Sequence, residues 1–253
     1  MNFLTVADWA KHGALLHGFA GRNGGKSVGP YASLNVSYRV GDDPKVVSQN
    51  VCDLKLAAGI HDGRIVTMKQ VHGDQIVQVN DDKLKEAGEA DGMIAAAPGI
   101  FLGVLTADCV PILFVAPKRK VVAAVHAGWR GTLAGIAEKA VRELEEKHGA
   151  DLQGIEAALG PAIGSCCYEV GPDVLEPMRE RWGTLAERAT RTAGKKSYLD
   201  LRAINRGILE SAGIPPSQIH LIGPCTCCSE EYFSYRRERA ETGRQVSFVG
   251  WRE

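Results

Sequence analysis

Two short apolar runs joined by a brief basic segment constrain the fold of this chain more than any other feature. The runs Val110–Ala116 and Val121–Val125 are uncharged and rich in β-branched residues. Runs of this length and composition are typical of strands that are buried within a sheet. Pro117 and the three basic residues that follow it form the turn. The sequence therefore predicts an antiparallel hairpin at the centre of the fold.

Reactive side chains stand at one end of this predicted hairpin. Asp108 and Cys109 come directly before the first strand, and His126 directly follows the second. Because the start of one strand lies beside the end of its antiparallel partner, we expect Cys109 and His126 to be neighbours at one edge of the sheet. A thiolate beside an imidazole indicates either a metal site or a Cys–His nucleophile pair, which Asp108 would orient.

A third candidate ligand, His72, lies in a turn that is predicted between two short strands within residues 65–79. Beside Cys109 and His126 it would complete a set of three ligands that suits zinc and leaves a fourth position for water or substrate. The three residues lie far apart in the sequence. Their spacing therefore leaves three interpretations open, namely a metal site, a metal-free nucleophile and an ordinary surface histidine.

Arginines in glycine-rich segments indicate a possible anion site. The segment Gly128–Gly131 contains Arg130 and precedes a helix that is predicted to begin near Thr132, so free N–H groups and a guanidinium would converge on one anion. Four further arginines could add bidentate contacts to a phosphate, and these are Arg22, Arg236, Arg237 and Arg244. For each of the five taken alone, an ordinary surface ion pair remains the alternative.

Five of the seven cysteines fall in two late segments of the chain, and these are Cys166, Cys167, Cys225, Cys227 and Cys228. They do not form two paired C-x-x-C motifs, and adjacent cysteines rarely bind the same metal. Thiols packed in loops are therefore favoured over a structural zinc site or a redox cluster.

Charge balance and the distribution of apolar residues argue against several classes of protein. The chain of 253 residues has 30 basic and 30 acidic residues, which disfavours a general attraction to nucleic acid or to an anionic membrane. No run approaches the ~20 apolar residues that span a bilayer. The N-terminal residues do not resemble a secretory signal, and the odd number of cysteines favours reduced thiols in the cytoplasm.

Motifs from about His17 to Arg244 resemble those of the YfiH family, also known as the laccase-domain or purine nucleoside phosphorylase family. The matching segments include HGFAGRNGG, KQVHGD, ADG, LTADCVPILF, VHAGWRGT, LGPAIGSCCYEVG, FSYRRE and TGR. The resemblance implies a fold of the α+β class, a layered α/β/β/α sandwich of mixed sheets flanked by helices. It also implies a single catalytic domain over residues 1–253.

For the site, the resemblance implies metal ligands at His72, Cys109 and His126, which would hold Zn²⁺, with Cu²⁺ as the alternative. It implies phosphorolysis of adenosine, inosine, guanosine and methylthioadenosine, and deamination of adenosine. The small-molecule partners would then be purine nucleosides and phosphate. On this interpretation the three ligands act in catalysis together with Asp108 and Arg130, and Asp108 or Glu169 moves protons. Phosphate would be bound by Arg22, Arg130 and Arg236.

Three alternatives to this function remain at the level of the sequence. The same ligands could hold copper in a laccase-like polyphenol oxidase, although a single mononuclear site does not easily reduce oxygen by four electrons. Cys109 and His126 could instead form a metal-free hydrolase, including one that edits peptidoglycan precursors. A binding protein with an inactive site is the third. We expect a monomer or homodimer without nucleic-acid or membrane partners.

Overall fold

The computed structural model describes residues 1–61, 63–81, 83–239 and 241–253. Over these ranges the chain forms fifteen strands and seven α-helices. The strands are β1 (Phe3–Leu4), β2 (Leu15–Ala20), β3 (Arg64–Lys69), β4 (Ile76–Gln78), β5 (Glu86–Glu89), β6 (Gly92–Ala95), β7 (Ile100–Thr106), β8 (Val110–Ala116), β9 (Val121–Ala127), β10 (Glu156–Leu159), β11 (Glu169–Val170), β12 (Thr190–Ala193), β13 (Lys196–Leu199), β14 (Ile219–Leu221) and β15 (Gln245–Trp251). The helices are α1 (Pro44–Ala57), α2 (Trp129–Ala134), α3 (Ile136–His148), α4 (Pro172–Trp182), α5 (Thr184–Arg188), α6 (Leu201–Ser211) and α7 (Tyr235–Glu238).

Most strands belong to two mixed six-stranded sheets. The first sheet has the order β1-β2-β15-β7-β3-β5 and is antiparallel from β1 to β7, after which β7, β3 and β5 run parallel. The second has the order β14-β10-β8-β9-β6-β4, with parallel pairs at both edges and antiparallel pairs in the centre. A small antiparallel sheet, β11-β13-β12, lies apart from them.

The two large sheets pack face to face, with helices on their outer faces. Leu102 of the first sheet and Leu113 of the second belong to the same buried cluster between the sheets. On the outer side of the first sheet, Leu54 of α1 packs in a cluster with Val246. The outer face of the second sheet is covered by α3 and α6. The layered α/β/β/α sandwich of mixed sheets, which the resemblance implied, is confirmed.

The predicted central hairpin is confirmed as β8 and β9. Every residue of the two strands is buried, because one face packs on the first sheet and the other on the helices. The register pairs Pro111 with His126 and Ala116 with Val121. Lys120 closes the turn in the left-handed conformation, with φ 52°. This register places the start of β8 beside the end of β9.

In place of the single helix predicted from Thr132, the structure has two helices, and the first of them begins before Thr132. The helix α2 begins at Trp129 with Gly128 as its N-cap, and Gly135 then adopts φ 84° before α3 begins at Ile136. A left-handed residue cannot continue the helical hydrogen-bond ladder, so α2 ends at Gly135. The helical spacing of apolar residues continues across this break and therefore does not predict it.

The helices α1 and α6 each begin at an aspartate cap. The side chain of Asp43 accepts the N–H of Lys45 at 2.8 Å, and that of Asp200 accepts the N–H of Ala203 at 3.0 Å. Both geometries are those of an N-terminal cap. Within the described ranges, no helix is long and apolar enough to cross a membrane.

The two strands predicted within residues 65–79 belong to different sheets. β3 lies in the first sheet and β4 in the second. The turn between them therefore crosses from one sheet to the other, and it carries His72 to the end of the second sheet. His72 takes a left-handed conformation in this turn, with φ 61°.

Candidate metal centre and active site

The side chains of His72, Cys109 and His126 meet at one end of the second sheet. Each offers one ligand atom, and these three atoms all lie within 4.8 Å of one another. The two imidazole rings are nearly perpendicular, at 85°, with centroids 4.9 Å apart. The expectation that Cys109 and His126 are neighbours is confirmed, because the register of β8 and β9 places them side by side.

A buried carboxylate, that of Asp91, orients two of the three side chains. Its Oδ1 atom accepts a hydrogen bond of 2.8 Å from Nδ1 of His126 and one of 3.0 Å from the backbone N–H of His72. Its Oδ2 atom accepts the N–H groups of Val71 at 3.2 Å and Gly73 at 2.6 Å. Since a carboxylate can only accept, Nδ1 of His126 carries a proton, and Nε2 is the nitrogen that would offer its lone pair to a metal.

The charges of the site stabilise one another. Burial by itself raises the pKa of Asp91, but His126 and the backbone N–H groups outweigh it and lower that pKa below its ordinary value. Burial by itself also raises the pKa of Cys109, yet the imidazoles of His126 and His72 lower it. The pKa of His126 is correspondingly raised by Cys109 and Asp91 against the effect of burial. The lowered pKa favours the thiolate form of Cys109 at neutral pH, and the thiolate is the form that binds a metal.

A glycine leaves the space in which the three ligand side chains meet. A Cβ atom at Gly128 would lie 3.2 Å from Sγ of Cys109 and 3.2 Å from Cδ2 of His72. The backbone of Gly128 is extended, with φ −75°, so that glycine is needed here for space and not for its conformational freedom.

The residues present fit a zinc ion with an open coordination position. Two imidazoles and one thiolate are ligands that zinc prefers, and catalytic zinc sites have three protein ligands. A carboxylate that holds the far nitrogen of a ligand histidine is typical of such sites, and Asp91 takes this place behind His126. His72 is exposed, so one side of the cluster remains accessible.

The three side chains open into a cavity of about 430 Å³ between the two sheets and the loops that follow them. The cavity is lined by Ser37, Arg39, Val40, Met68, Gln70, His72, Leu105, Thr106, Ala107, Asp108, Cys109, His126, Ile163, Tyr168, Tyr235, Arg236 and Arg244. Of the residues predicted for the metal and anion sites, this set includes the three ligands, Asp108, Arg236 and Arg244.

The structure does not bring Arg22 to this cavity. Its Nη1 atom is 2.6 Å from Oε1 of Glu238, its Nε donates to the carbonyl of Ala32 at 2.7 Å, and its guanidinium stacks 4.6 Å from the ring centre of Phe233. These contacts join the glycine-rich segment to α7. Arg22 therefore has a structural role in this fold.

Two other residues expected at the site also lie outside the lining of the cavity. Arg130 is exposed on α2, and its guanidinium stacks 4.3 Å from the ring centre of Trp129. Glu169 is exposed, and its Oε2 atom pairs with Lys196 at 2.8 Å. The first turn of α2 therefore does not present Arg130 to an anion in the cavity.

Three arginines lie in the lining of the cavity, and they are Arg39, Arg236 and Arg244. Arg39 is paired with the carboxylate of Glu86 at 2.7 Å, whereas the guanidinium groups of Arg236 and Arg244 donate to backbone carbonyls. The backbone N–H of Arg236 donates to Oδ2 of Asp108 at 2.7 Å, and its Nη1 atom donates to the carbonyl of Glu169 at 3.0 Å. Arg244 is half-buried, and its Nη1 atom donates to the carbonyls of Thr242 and Gly243. Burial lowers the pKa of Arg244, which Cys109 and Asp108 partly offset.

Asp108 anchors the loops that surround the cavity. It adopts φ 97°, a conformation that is unusual for a residue other than glycine. Its Oδ1 atom accepts the hydroxyl of Thr226 at 2.6 Å, and its Oδ2 atom accepts the N–H of Arg236. The carboxylate thus ties the end of β7 to α7 and to the loop that contains Thr226.

Several residues of the site were missed by reasoning from the sequence alone. Asp91 stands directly before the buried strand β6, which was a usable signal because polar residues at strand ends often build sites. Tyr168 lines the cavity under the guanidinium of Arg236, and burial together with Cys109 raises its pKa to about 12. Thr106 is buried, and its hydroxyl has no hydrogen-bond partner within the described part of the chain. Nothing in the local sequence of Thr106 or Tyr168 indicates these positions.

Comparison with known proteins identifies the family. The layered α/β/β/α sandwich with a His–Cys–His cluster at the end of its second sheet is the combination of fold and site on which the comparison bears. Residues 16–252 match the family model described as multi-copper polyphenol oxidoreductase laccase. The chain therefore belongs to this family, and it is an enzyme as its curated relatives are.

The relatives are named for reactions of purine nucleosides. Purine nucleoside phosphorylase YlmD of Geobacillus stearothermophilus is 38% identical over 246 residues, which cover 93% of this chain and 90% of that protein. The crystal structure of YlmD from the same organism superposes with a TM-score of 0.92, covering 100% of this chain and 97% of that one. Adenosine deaminase RL5, from an unknown prokaryotic organism, is 35% identical over 230 residues and covers 87% of each chain.

Proposed function

We propose that the protein is a zinc-dependent purine nucleoside enzyme whose main reaction is phosphorolysis. The observation that carries this proposal is that a His–Cys–His cluster and the guanidinium groups of Arg236 and Arg244 lie in the lining of one cavity. A metal ligand set alone fits many reactions. The adjacent guanidinium groups select an anionic co-substrate, and the relatives' names make phosphate and a purine nucleoside the natural pair.

In phosphorolysis, an oxygen of phosphate bonds to the anomeric carbon of the ribose while the bond from that carbon to the purine nitrogen breaks. The electron pair of the broken bond stays on the purine, which takes up a proton, and ribose 1-phosphate is released. A bound Zn²⁺ supplies a Lewis acid at the open coordination position. The chain must then hold phosphate, orient the nucleoside and exclude competing water.

Arg236 and Arg244 hold the phosphate. Both line the cavity that contains the ligand cluster, whereas Arg22 and Arg130 do not. The guanidinium group binds phosphate oxygens through pairs of N–H donors. The hydrogen bonds of Arg236 to the carbonyls of Glu169 and Cys167 fix its position before the substrate arrives, which reduces the entropy lost on binding.

Polar groups in the lining orient the nucleoside. The raised pKa of Tyr168 keeps its phenol protonated at neutral pH, so that it is available as a hydrogen-bond donor. The hydroxyl of Thr106, which lines the same cavity without a partner in the described ranges, is available to a ribose or purine group. A buried polar atom without a partner is unfavourable, and a substrate would remove that penalty.

Deamination of adenosine is the second candidate, and it is favoured by the carboxylate in the lining. Each oxygen of Asp108 accepts one hydrogen bond, from Thr226 or from Arg236, and so keeps a lone pair for a proton. In this reaction the oxygen of a water molecule bonds to C6 of adenine, the bond from C6 to the amino nitrogen breaks, and Asp108 would carry a proton from that water to the leaving ammonia. Glu169, the other carboxylate expected for this role, is paired with Lys196 outside the cavity lining.

The test is an assay of inosine with phosphate, in which hypoxanthine and ribose 1-phosphate are separated by chromatography. We expect wild type to form both products, and we expect Cys109→Ala or treatment with a strong chelator to abolish them. Zinc measured in the same samples should fall with the activity. Equal rates in wild type and Cys109→Ala would contradict the proposal, and full activity in chelator would show that the reaction needs no metal. Ribose in place of ribose 1-phosphate would favour the metal-free hydrolase.

Adenosine with and without phosphate separates the two candidate reactions. Adenine formed only with phosphate indicates phosphorolysis, and inosine formed without phosphate indicates deamination. Oxygen uptake by the copper-loaded protein with a phenol would instead favour the polyphenol oxidase.

A further inference from the structure

A second compact cluster of metal-binding side chains lies where two loops meet. Cys166 and Cys167 belong to the loop between β10 and β11, and Cys225 and Cys228 belong to the loop after β14. Their four Sγ atoms all lie within 4.8 Å of one another. The structure thus brings the adjacent Cys166 and Cys167 to one point, although the sequence favoured thiols packed separately in loops. The Sγ atom of Cys228 is 3.4 Å from that of Cys166 and 3.3 Å from that of Cys167, so the sulfurs are not bonded to each other.

These separations match those of a tetrahedral zinc site made of four thiolates. A Zn–S distance of about 2.3 Å places the sulfurs of a tetrahedron about 3.8 Å apart. The Sγ atom of Cys228 lies 3.3 and 3.4 Å from two of the other sulfurs, and no separation in the cluster exceeds 4.8 Å. Small side-chain rotations would therefore bring all four sulfurs onto one ion.

The local backbone at Cys225 supports a ligand role. Cys225 and Cys228 form a C-x-x-C pair, which is the spacing that structural zinc sites use. The backbone N–H of Gly164 donates to Sγ of Cys225 at 3.2 Å. Such N–H donors are the outer contacts that stabilise metal-bound ligands.

The close approach of the four sulfurs limits how many of them can be thiolates in the absence of a cation. Four sulfurs in contact cannot all ionise without a positive charge between them. A divalent ion would replace the thiol protons and remove this repulsion.

We propose that Cys166, Cys167, Cys225 and Cys228 bind a structural zinc ion that is separate from the His–Cys–His centre. The ion holds together two loops that form part of the cavity. Thr226, within the C-x-x-C pair, donates to Asp108, and the carbonyl of Cys167 accepts from Arg236. The second ion therefore fixes groups of the active site without contacting the substrate.

The first experiment counts zinc in the full-length chain, purified under reducing conditions and freed of loosely bound metal. We expect about two ions per chain in wild type, one for each cluster. Cys109→Ala should keep one ion, and the double variant Cys225→Ser with Cys228→Ser should also keep one. Cys227→Ser is the matched control, because its thiol lies in the same loop but outside the cluster, and it should keep two.

The second experiment keeps the proposal testable if the double variant does not fold. Cys109→Ala loaded with Co²⁺ should show the intense visible bands and the sulfur-to-metal charge transfer of a tetrathiolate centre. Adding Cys228→Ser should remove or shift these bands, whereas adding Cys227→Ser should leave them unchanged.

Several outcomes would overturn the proposal. These are a Cys109→Ala chain without zinc and without the tetrathiolate spectrum, or two zinc ions in the double variant. The chain purified without reductant or metal could contain a disulfide from Cys228 to Cys166 or Cys167, which its mass would show. If the reduced chain then also fails to bind zinc, the cluster is a redox pair and not a metal site. Loss of nucleoside activity in Cys109→Ala bears on the proposed function and leaves this test unaffected.

Discussion

The carboxylate of Asp91 lies 2.8 Å from Nδ1 of His126, and both groups are buried. The same oxygen also accepts the backbone N–H of His72. One side chain thus fixes the tautomer of one candidate ligand and the loop conformation of another. The carbonyl of Asp91 accepts the N–H of His126 as well, at 2.7 Å, which ties the start of β6 to the end of β9.

We expect Asp91→Asn to weaken zinc binding at the His–Cys–His centre by about 10- to 100-fold. The amide keeps the size of the carboxylate but loses its charge and presents an N–H₂ group to donors that need an acceptor. Competition with a chelating dye measures the affinity. Asp74→Asn is the matched control, because Asp74 lies in the same segment and pairs with Lys139 near the surface. Equal affinity in Asp91→Asn and wild type would contradict the role assigned to Asp91.

Gly128→Ala is expected to lower zinc occupancy and activity while the chain remains folded. The added methyl would stand 3.2 Å from Sγ of Cys109 and Cδ2 of His72, so the ligands must move apart. Gly13→Ala is the control, because a Cβ there meets nothing within 4 Å. Metal content and thermal unfolding of the two variants should be compared. Full zinc occupancy in Gly128→Ala would show that the ligands do not need this space.

Arg236→Gln and Arg244→Gln should each raise the KM for phosphate by about tenfold or more, since a hydrogen bond to a charged group contributes about 1.5–3 kcal/mol. Arg22→Gln should leave this KM unchanged, because Arg22 contacts Glu238 and Ala32 away from the cavity. It should instead lower the free energy of unfolding by about 1–3 kcal/mol. A raised KM in Arg22→Gln alone would restore the assignment made from the sequence.

The stability of the fold should fall as the pH falls from about 6.5 towards 4, because of His17. Burial, aided by His12, lowers the pKa of His17 to about 4, and its Nε2 atom accepts the N–H of Val6 at 2.9 Å. The neutral ring is thus favoured in the folded state, and the unfolded chain takes up the proton first as the pH falls.

Between pH 7 and pH 5 this effect should remove about 1–2 kcal/mol from the free energy of unfolding. Urea unfolding at the two pH values measures it. His17→Gln, which keeps an acceptor but cannot titrate, should reduce the difference. The same pH dependence in that variant would assign the loss of stability to other groups.

Local patterns predicted those parts of the molecule that contiguous residues encode. The hairpin of β8 and β9 and the caps at Asp43 and Asp200 follow from apolar runs and turn chemistry within a few residues. Because the register of a hairpin is set by its turn, the proximity of Cys109 and His126 was also accessible. The same local reasoning missed the break at Gly135, since apolar periodicity does not report a single left-handed residue.

The sequence by itself determined the elements, the central hairpin and one pair of the candidate ligands. Only the tertiary structure decided that His72 crosses between sheets to join that pair, that Asp91 supports it, and that Arg244 faces the cavity while Arg22 binds Glu238. The physical reason is that backbone hydrogen bonding and periodicity act over neighbouring residues. The contacts of a side chain, by contrast, depend on how distant segments pack, and this packing is set by the burial of the whole core.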